Sequence, residues 1–120
     1  MINISINDIM VLNRTVSSNG VIYKVVFYGE KIRDDFKERV ISSEVVVEEL
    51  NDGTLKIVDW TNGYEKSVIE EKIKEANITT YTVYYYDTYK DNFLKENVLG
   101  LKNILDLNRS NSVVEVIKVK

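Results

Sequence analysis

A chain of 120 residues with a net charge of −3 is long enough to bury one hydrophobic core and short enough to form a single domain. It has no histidine and no cysteine, which excludes Ser-His-Asp and Cys-His centres, thiolate-bound zinc and any disulfide framework. The acidic balance, with no cluster of Lys and Arg, argues against binding to a nucleic-acid backbone. No stretch approaches the length of a membrane span, and the alternating start has no secretion signal, so a cytoplasmic protein is expected.

In chain order, Ile2, Ile4 and Ile6 alternate with Asn3, Ser5 and Asn7, the pattern of a half-buried strand. Asn19-Gly20 lies between two apolar runs and predicts a tight hairpin, because that dipeptide supplies the positive φ angles of a type I′ turn. A two-residue loop there pairs Ser18 with Val21, Val16 with Tyr23, Arg14 with Val25 and Leu12 with Phe27. One face then holds Leu12, Val16, Tyr23, Val25 and Phe27, with Arg14 among them. Residues 30–39 are dense in charge, and the four-residue spacing of Ile32, Phe36 and Val40 predicts a short amphipathic helix.

Residues 44–50 and 54–60 flank Asn51-Asp52-Gly53. A three-residue loop with Gly53 left-handed sets Val45, Val47, Leu55 and Ile57 on one face and pairs Glu48 with Lys56. Trp60 and Tyr64 sit in the turn that follows. Ser67 and Glu70 form a capping box for a helix over about 68–76, with Val68, Ile69, Ile73 and Ala76 inward and Asn77 as its stop.

Residues 78–93 carry five of the eight tyrosines. Thr and Tyr favour a pleated strand, with Tyr84 and Tyr86 on one face and Tyr81, Tyr85 and Tyr89 on the other. Aromatics on both faces suggest a strand inside a sheet, covered on one side and partly wet on the other. Asp91 would cap a second helix over about 92–107, with Leu94, Val98, Leu101 and Leu105 inward and Gly100 accommodated by close packing. Residues 113–119 form a last strand, apolar enough to be paired on both sides. Hairpins first and helices later predict an α+β fold: one mainly antiparallel sheet with two helices on one face.

No phosphate-cradling loop is present. The adjacent acids Asp34/Asp35, Glu48/Glu49 and Glu70/Glu71 point apart when on strands, which suits neither a shared-proton dyad nor a glycosidase pair. No metal or cofactor is expected, and the sequence reads as a non-enzyme. Residues 30–52 hold eight acids against four bases, an excess that reads as a solvated face or as a surface for a basic partner.

The candidate binding residues are Tyr81, Tyr84, Tyr85, Tyr86 and Tyr89, which offer large rigid contact area, with Trp60 and Tyr64 as further aromatics. Arg14 and Arg109 are the cations placed to grip an anion. These residues point to a non-catalytic protein that binds a cellular protein, such as an inhibitor or immunity-type protein of a phage or mobile element. The alternatives are a nucleotide held between tyrosine rings, and a homo-oligomer built by pairing edge strands at 1–6 or 113–119.

Overall fold

The computed structural model describes residues 2–3, 8–18 and 20–119; the side chains of Ile2, Asn3, Asp8, Asn13, Arg14 and Ser17 also lie outside the description. The strands are β1 (Ile2–Asn3), β2 (Asp8–Ser17), β3 (Gly20–Arg33), β4 (Phe36–Leu50) and β5 (Leu55–Trp60), followed by helix α1 (Lys66–Asn77). Then come β6 (Thr80–Asp87), β7 (Asn92–Leu99), helix α2 (Leu101–Ser110) and β8 (Ser112–Lys118). All pairings are antiparallel, in the order β5-β4-β3-β2-β8-β6-β7, with β1 beside the far end of β3. This is the α+β architecture that the hairpin-then-helix order predicts. Both helices cover one face. Ile69, Ile73 and Ala76 of α1 and Leu101, Ile104 and Leu105 of α2 join one cluster with Tyr23, Val25, Phe27, Val45, Val47, Tyr81, Val83, Tyr85 and Val116. Burying each large apolar side chain contributes about 1.5–3 kcal/mol, so this layer carries the fold.

Residues 30–39 are not helical. β3 and β4 run on past the body as a ribbon, joined by β1 at Glu30 and Lys31, that turns at Asp34 (φ 48°) and Asp35 (φ 67°), with Arg33 opposite Phe36. Two successive left-handed residues make the type I′ geometry that matches strand twist, and Asp tolerates it better than most residues. Ile32 and Phe36, spaced as if for a helix face, are 64% and 73% exposed. Their spacing reflects no burial.

The second helix also begins later than its apolar spacing suggests. Residues 92–99 are β7, paired with β6 from Asp87↔Asn92 to Thr80↔Leu99. Leu94 and Val98 are four apart, an interval that keeps one face in a strand as well as in a helix. Asp91 is no helix cap: it is left-handed (φ 51°) in a turn held by Asp87, whose Oδ1 accepts from the Tyr89 and Lys90 amides at 2.9 and 3.1 Å. Gly100 (φ 88°) redirects the chain into α2. A Cβ there would lie 2.6 Å from the Asn77 carbonyl oxygen. Asn77 itself caps α2, its Oδ1 accepting the Lys102 amide at 3.1 Å.

The first hairpin has a different register from the one its Asn-Gly implies. Ser17 pairs with Gly20 and Val16 with Val21; a bulge between Asn13 and Thr15 then brings Leu12 opposite Lys24 and Ile9 opposite Phe27. Val16 is therefore exposed, and the inward positions go to Ile9 and Val11. Asn19 lies outside the described residues. Gly20 is needed for space rather than for turn geometry, since a Cβ there would fall 1.8 Å from the Glu49 carbonyl oxygen.

The hairpin at 51–53 is as expected, with Glu48 opposite Lys56 and Gly53 at φ 88°. Helix α1 starts one residue before Ser67, with Glu65 at the N-cap and no side-chain cap bond, so the Ser67–Glu70 box does not form. Strand β8 is not an edge, because it pairs with both β2 and β6. Of the predicted strand at 1–6, only Ile2 and Asn3 fall within the described residues.

Candidate functional site

β6 lies between β8 and β7, and alternation along it divides the tyrosines. Tyr81 and Tyr85 point beneath the helices and are buried, whereas Tyr84 and Tyr86 are half-buried on the opposite, helix-free face. Tyr89 is 99% exposed at the tip of the β6–β7 turn. The tyrosines thus divide between core and surface.

Pairing on both sides of β6 builds a grid on the helix-free face. Across β8, β6 and β7 the rows are Ser112–Tyr86–Phe93, then Glu115–Tyr84–Lys95, then Ile117–Thr82–Asn97. The Val119 amide donates to the Thr80 carbonyl, and Thr80 pairs with Leu99, which completes a fourth row. Within the grid, the Tyr86 and Phe93 rings meet edge to face at 5.0 Å. Lys95 Nζ stands 5.8 Å from the centre of the Tyr84 ring, and Thr82 donates to Asn97 Oδ1 at 3.0 Å. Phe93 is 71% and Leu99 57% exposed. The surface is part aromatic and part aliphatic, with one cation and one carboxylate on either side of a central phenol.

The remaining candidates are located elsewhere. Arg109, on α2, donates to Glu49 Oε1 at 2.6 Å, so its guanidinium holds a carboxylate of its own chain. Glu49 is fully buried, and the Tyr23 hydroxyl beside this pair has its pKa raised by burial. Glu44 pairs with Lys24 at 3.1 Å. Acids that the sequence presents as one excess are therefore partly spent on internal pairs. The Arg14 side chain lies outside the described residues. Trp60 Nε1 donates to the Tyr64 carbonyl at 2.7 Å, which folds the turn after β5 back on itself. Both rings are half-buried against the core.

Sequence reasoning missed Lys72. The lysine is 4% exposed on the inner face of α1, and its ammonium donates to Ser42 Oγ at 2.6 Å and Ser43 Oγ at 3.2 Å. The Tyr64 ring centre is 4.6 Å away and that of Phe27 5.7 Å. Burial pulls its pKa down to about 8, against a weaker upward pull from Glu75. Ser42 and Tyr64 share a 3.4 Å hydrogen bond. A Ser–Lys contact can activate a hydroxyl in principle, but Ser42 and Ser43 are sealed beneath the helix layer and present no face to a substrate. The one available sequence signal was periodicity: Lys72 falls between Ile69 and Ala76 on the stripe that α1 buries.

Among the described residues, no three acidic side chains converge as metal ligands, and no helix is long and apolar enough to cross a membrane. No family model, curated protein or solved structure matches the chain.

Proposed function

We propose that this chain is a non-catalytic protein whose work is to bind another protein, in the manner of an inhibitor or immunity-type protein of a phage or mobile element, through the helix-free face of β8, β6 and β7. The observation that carries this reading is the exposure of Phe93 and Leu99 around half-buried Tyr84 and Tyr86 on strands locked into the sheet. Rigid aromatic residues give large contact area at small entropic cost, and Tyr is among the residues that dominate binding energy at protein interfaces. The opposite face is covered by the helices and Arg109 is held by Glu49, while the grid gathers exposed Phe93, Leu99, Ile117 and Val119 around Tyr84 and Tyr86 on one patch.

The test compares cross-linked capture from host lysate by the unaltered chain, by Tyr84→Ala with Phe93→Ser, and by a control changed at exposed Lys102 on α2. A partner retained by the control and lost by the double variant supports the reading. Equal capture by all three would remove it. One observation favours a second reading, a nucleotide stacked on the grid: Lys95 beside Tyr84 supplies a cation next to a ring. Saturating nucleotide should then raise the melting temperature of the unaltered chain but not of Tyr84→Ala.

A further inference from the structure

The charged row at the centre of the grid identifies one occupant that fits it. We infer that the helix-free face packs against the same face of a second copy, about a two-fold axis running along β6. This rests on the reading of that face as a contact surface and names a partner for it.

The argument is geometric. A two-fold axis in the interface, parallel to β6, lays β6 on its counterpart and exchanges the flanking strands, so β8 of one copy covers β7 of the other. Each row then meets itself reversed. Glu115 faces Lys95 of the second copy and Lys95 faces its Glu115, giving two equivalent ion pairs around stacked Tyr84 side chains. In the row above, Phe93 faces Ser112, and Ile117 faces Asn97 in the row below. In the outermost row Leu99 meets Val119, and both are exposed in the single chain. Neither Lys95 nor Glu115 has an ion-pair partner among the described residues. An isologous interface requires this kind of self-complementarity.

Edge-to-edge pairing centred on the charged residues does not offer it. In an antiparallel pairing of two β7 strands, a centre on Lys95 or Glu96 sets that charge opposite itself. Along the ribbon edge of β4, a centre on Glu38 does the same and adds Lys37 opposite Arg39. Like charges directly opposed are destabilising. Strand β8 lies between β6 and β2, and β2 covers its edge at Val116 and Ile117.

The overlap is limited to three strands, roughly 300 Å² of sheet per copy, against about 800 Å² per partner in a standard stable interface. The dimer is therefore weak and concentration-dependent, and a tighter-binding protein on the same face displaces it. Self-association and partner binding exclude one another.

Charge exchange tests this directly. Sedimentation velocity from 10 µM to 1 mM is run on the unaltered chain, on Lys95→Glu, on Glu115→Lys, on an equimolar mixture of the two variants, and on the double variant. Expected are a reversible dimer for the unaltered chain and at least tenfold weaker association for each single variant. The mixture and the double variant should both recover the dimer, because each again sets opposite charges face to face. Both residues are exposed, and circular dichroism verifies that the variants fold. A strict monomer at 1 mM, a dimer indifferent to the single changes, or a mixture that fails to recover overturns the inference. If the dimer is absent while Tyr84→Ala with Phe93→Ser still loses its captured partner, only the self-association fails and the proposed function stands.

Discussion

Lys72 offers a sharp test of the energetics, because a buried ammonium that contacts no carboxylate among the described residues stores a measurable cost. Its ordinary pKa of 10.5 falls to about 8 in the fold, chiefly through desolvation. Between pH 8 and 10.5 the unfolded chain keeps a proton that the folded chain has released. Stability therefore rises with pH across this window, and the penalty is fully present below it. A difference of roughly 2.5 units corresponds to about 3 kcal/mol. Tyr23 and Tyr85 titrate above 10 in the fold, Tyr23 raised mainly by burial and Tyr85 mainly by its hydrogen bond to Glu96, and both act in the opposite direction at the top of the range. A Lys72→Met variant keeps both tyrosines, so subtracting its curve cancels them. Urea denaturation of the two proteins from pH 7 to 10 is the assay, read as the difference in midpoint at unchanged slope. At pH 7 the variant gains from the removed charge and loses about 1–3 kcal/mol from the Ser42 and Ser43 hydroxyls left without their donor, so the two stabilities lie close together. By pH 10 the unaltered chain should lead by about 2–3 kcal/mol. Parallel curves across the whole window would show that Lys72 is not a desolvated charge, and the reasoning would fail.

Arg109→Met leaves the Glu49 carboxylate buried and unpaired, which should cost about 3–5 kcal/mol in urea denaturation at pH 7, with most of the loss recovered by adding Glu49→Gln. Asn77→Ala removes the side-chain acceptor at the start of α2 and should lower stability by about 1 kcal/mol. Gly100→Ala meets two obstacles, a left-handed φ and the Asn77 carbonyl; a loss well above the ~1 kcal/mol of backbone strain alone is expected in thermal denaturation. A neutral result there would mean that the β7–α2 junction relaxes freely.

Local chemistry made part of the fold legible. The loop at Asn51-Asp52-Gly53 was readable because a three-residue connection is the one that keeps Val45, Val47 and Ile57 together, and the Glu48–Lys56 pairing follows from it. Helix α1 was readable from Ile69, Ile73 and Ala76. The errors arose where one spacing satisfies two periods. Leu94 and Val98 are compatible with a helix face and a strand face alike, and what decides between them is the demand of β6 for a second neighbour, which is not local information. The ribbon at 30–39 was misread for a related reason: its turn is Asp34-Asp35, a pair without glycine, and its register follows the Val25–Val45 ladder only after a one-residue shift between Phe27 and Tyr28. At Asn19-Gly20 the misreading was of role, because Gly20 answers to the backbone of Glu49, which lies 29 positions along the chain (49 − 20).

The candidate surface was partly legible for a reason that also bears on how it works. Alternation along β6 ties the outward residues to the inward ones: with Tyr81, Val83 and Tyr85 fixed in the core, Tyr84 and Tyr86 have only the other face to occupy. A slip of one residue would bury Tyr84 and expose Val83, so the core enforces the composition of the contact surface. Phe93 and Lys95 could not be placed this way, because they join the grid only once 92–99 is a strand. That dependence has a physical consequence. A surface centred on β6, which is ladder-bonded on both sides, with β7 held on one, loses little conformational freedom when a partner arrives, so weak individual contacts add up with a small ordering cost to offset. The exposed ribbon tip at Ile32 and Phe36 lies beyond the β1 pairs at Glu30 and Lys31 and has two strands alone among the described residues, which gives it less support than the grid. Contact energy therefore concentrates on the grid, and substitutions at Tyr84 and Phe93 should outweigh those at Ile32 and Phe36 in any complex the chain forms.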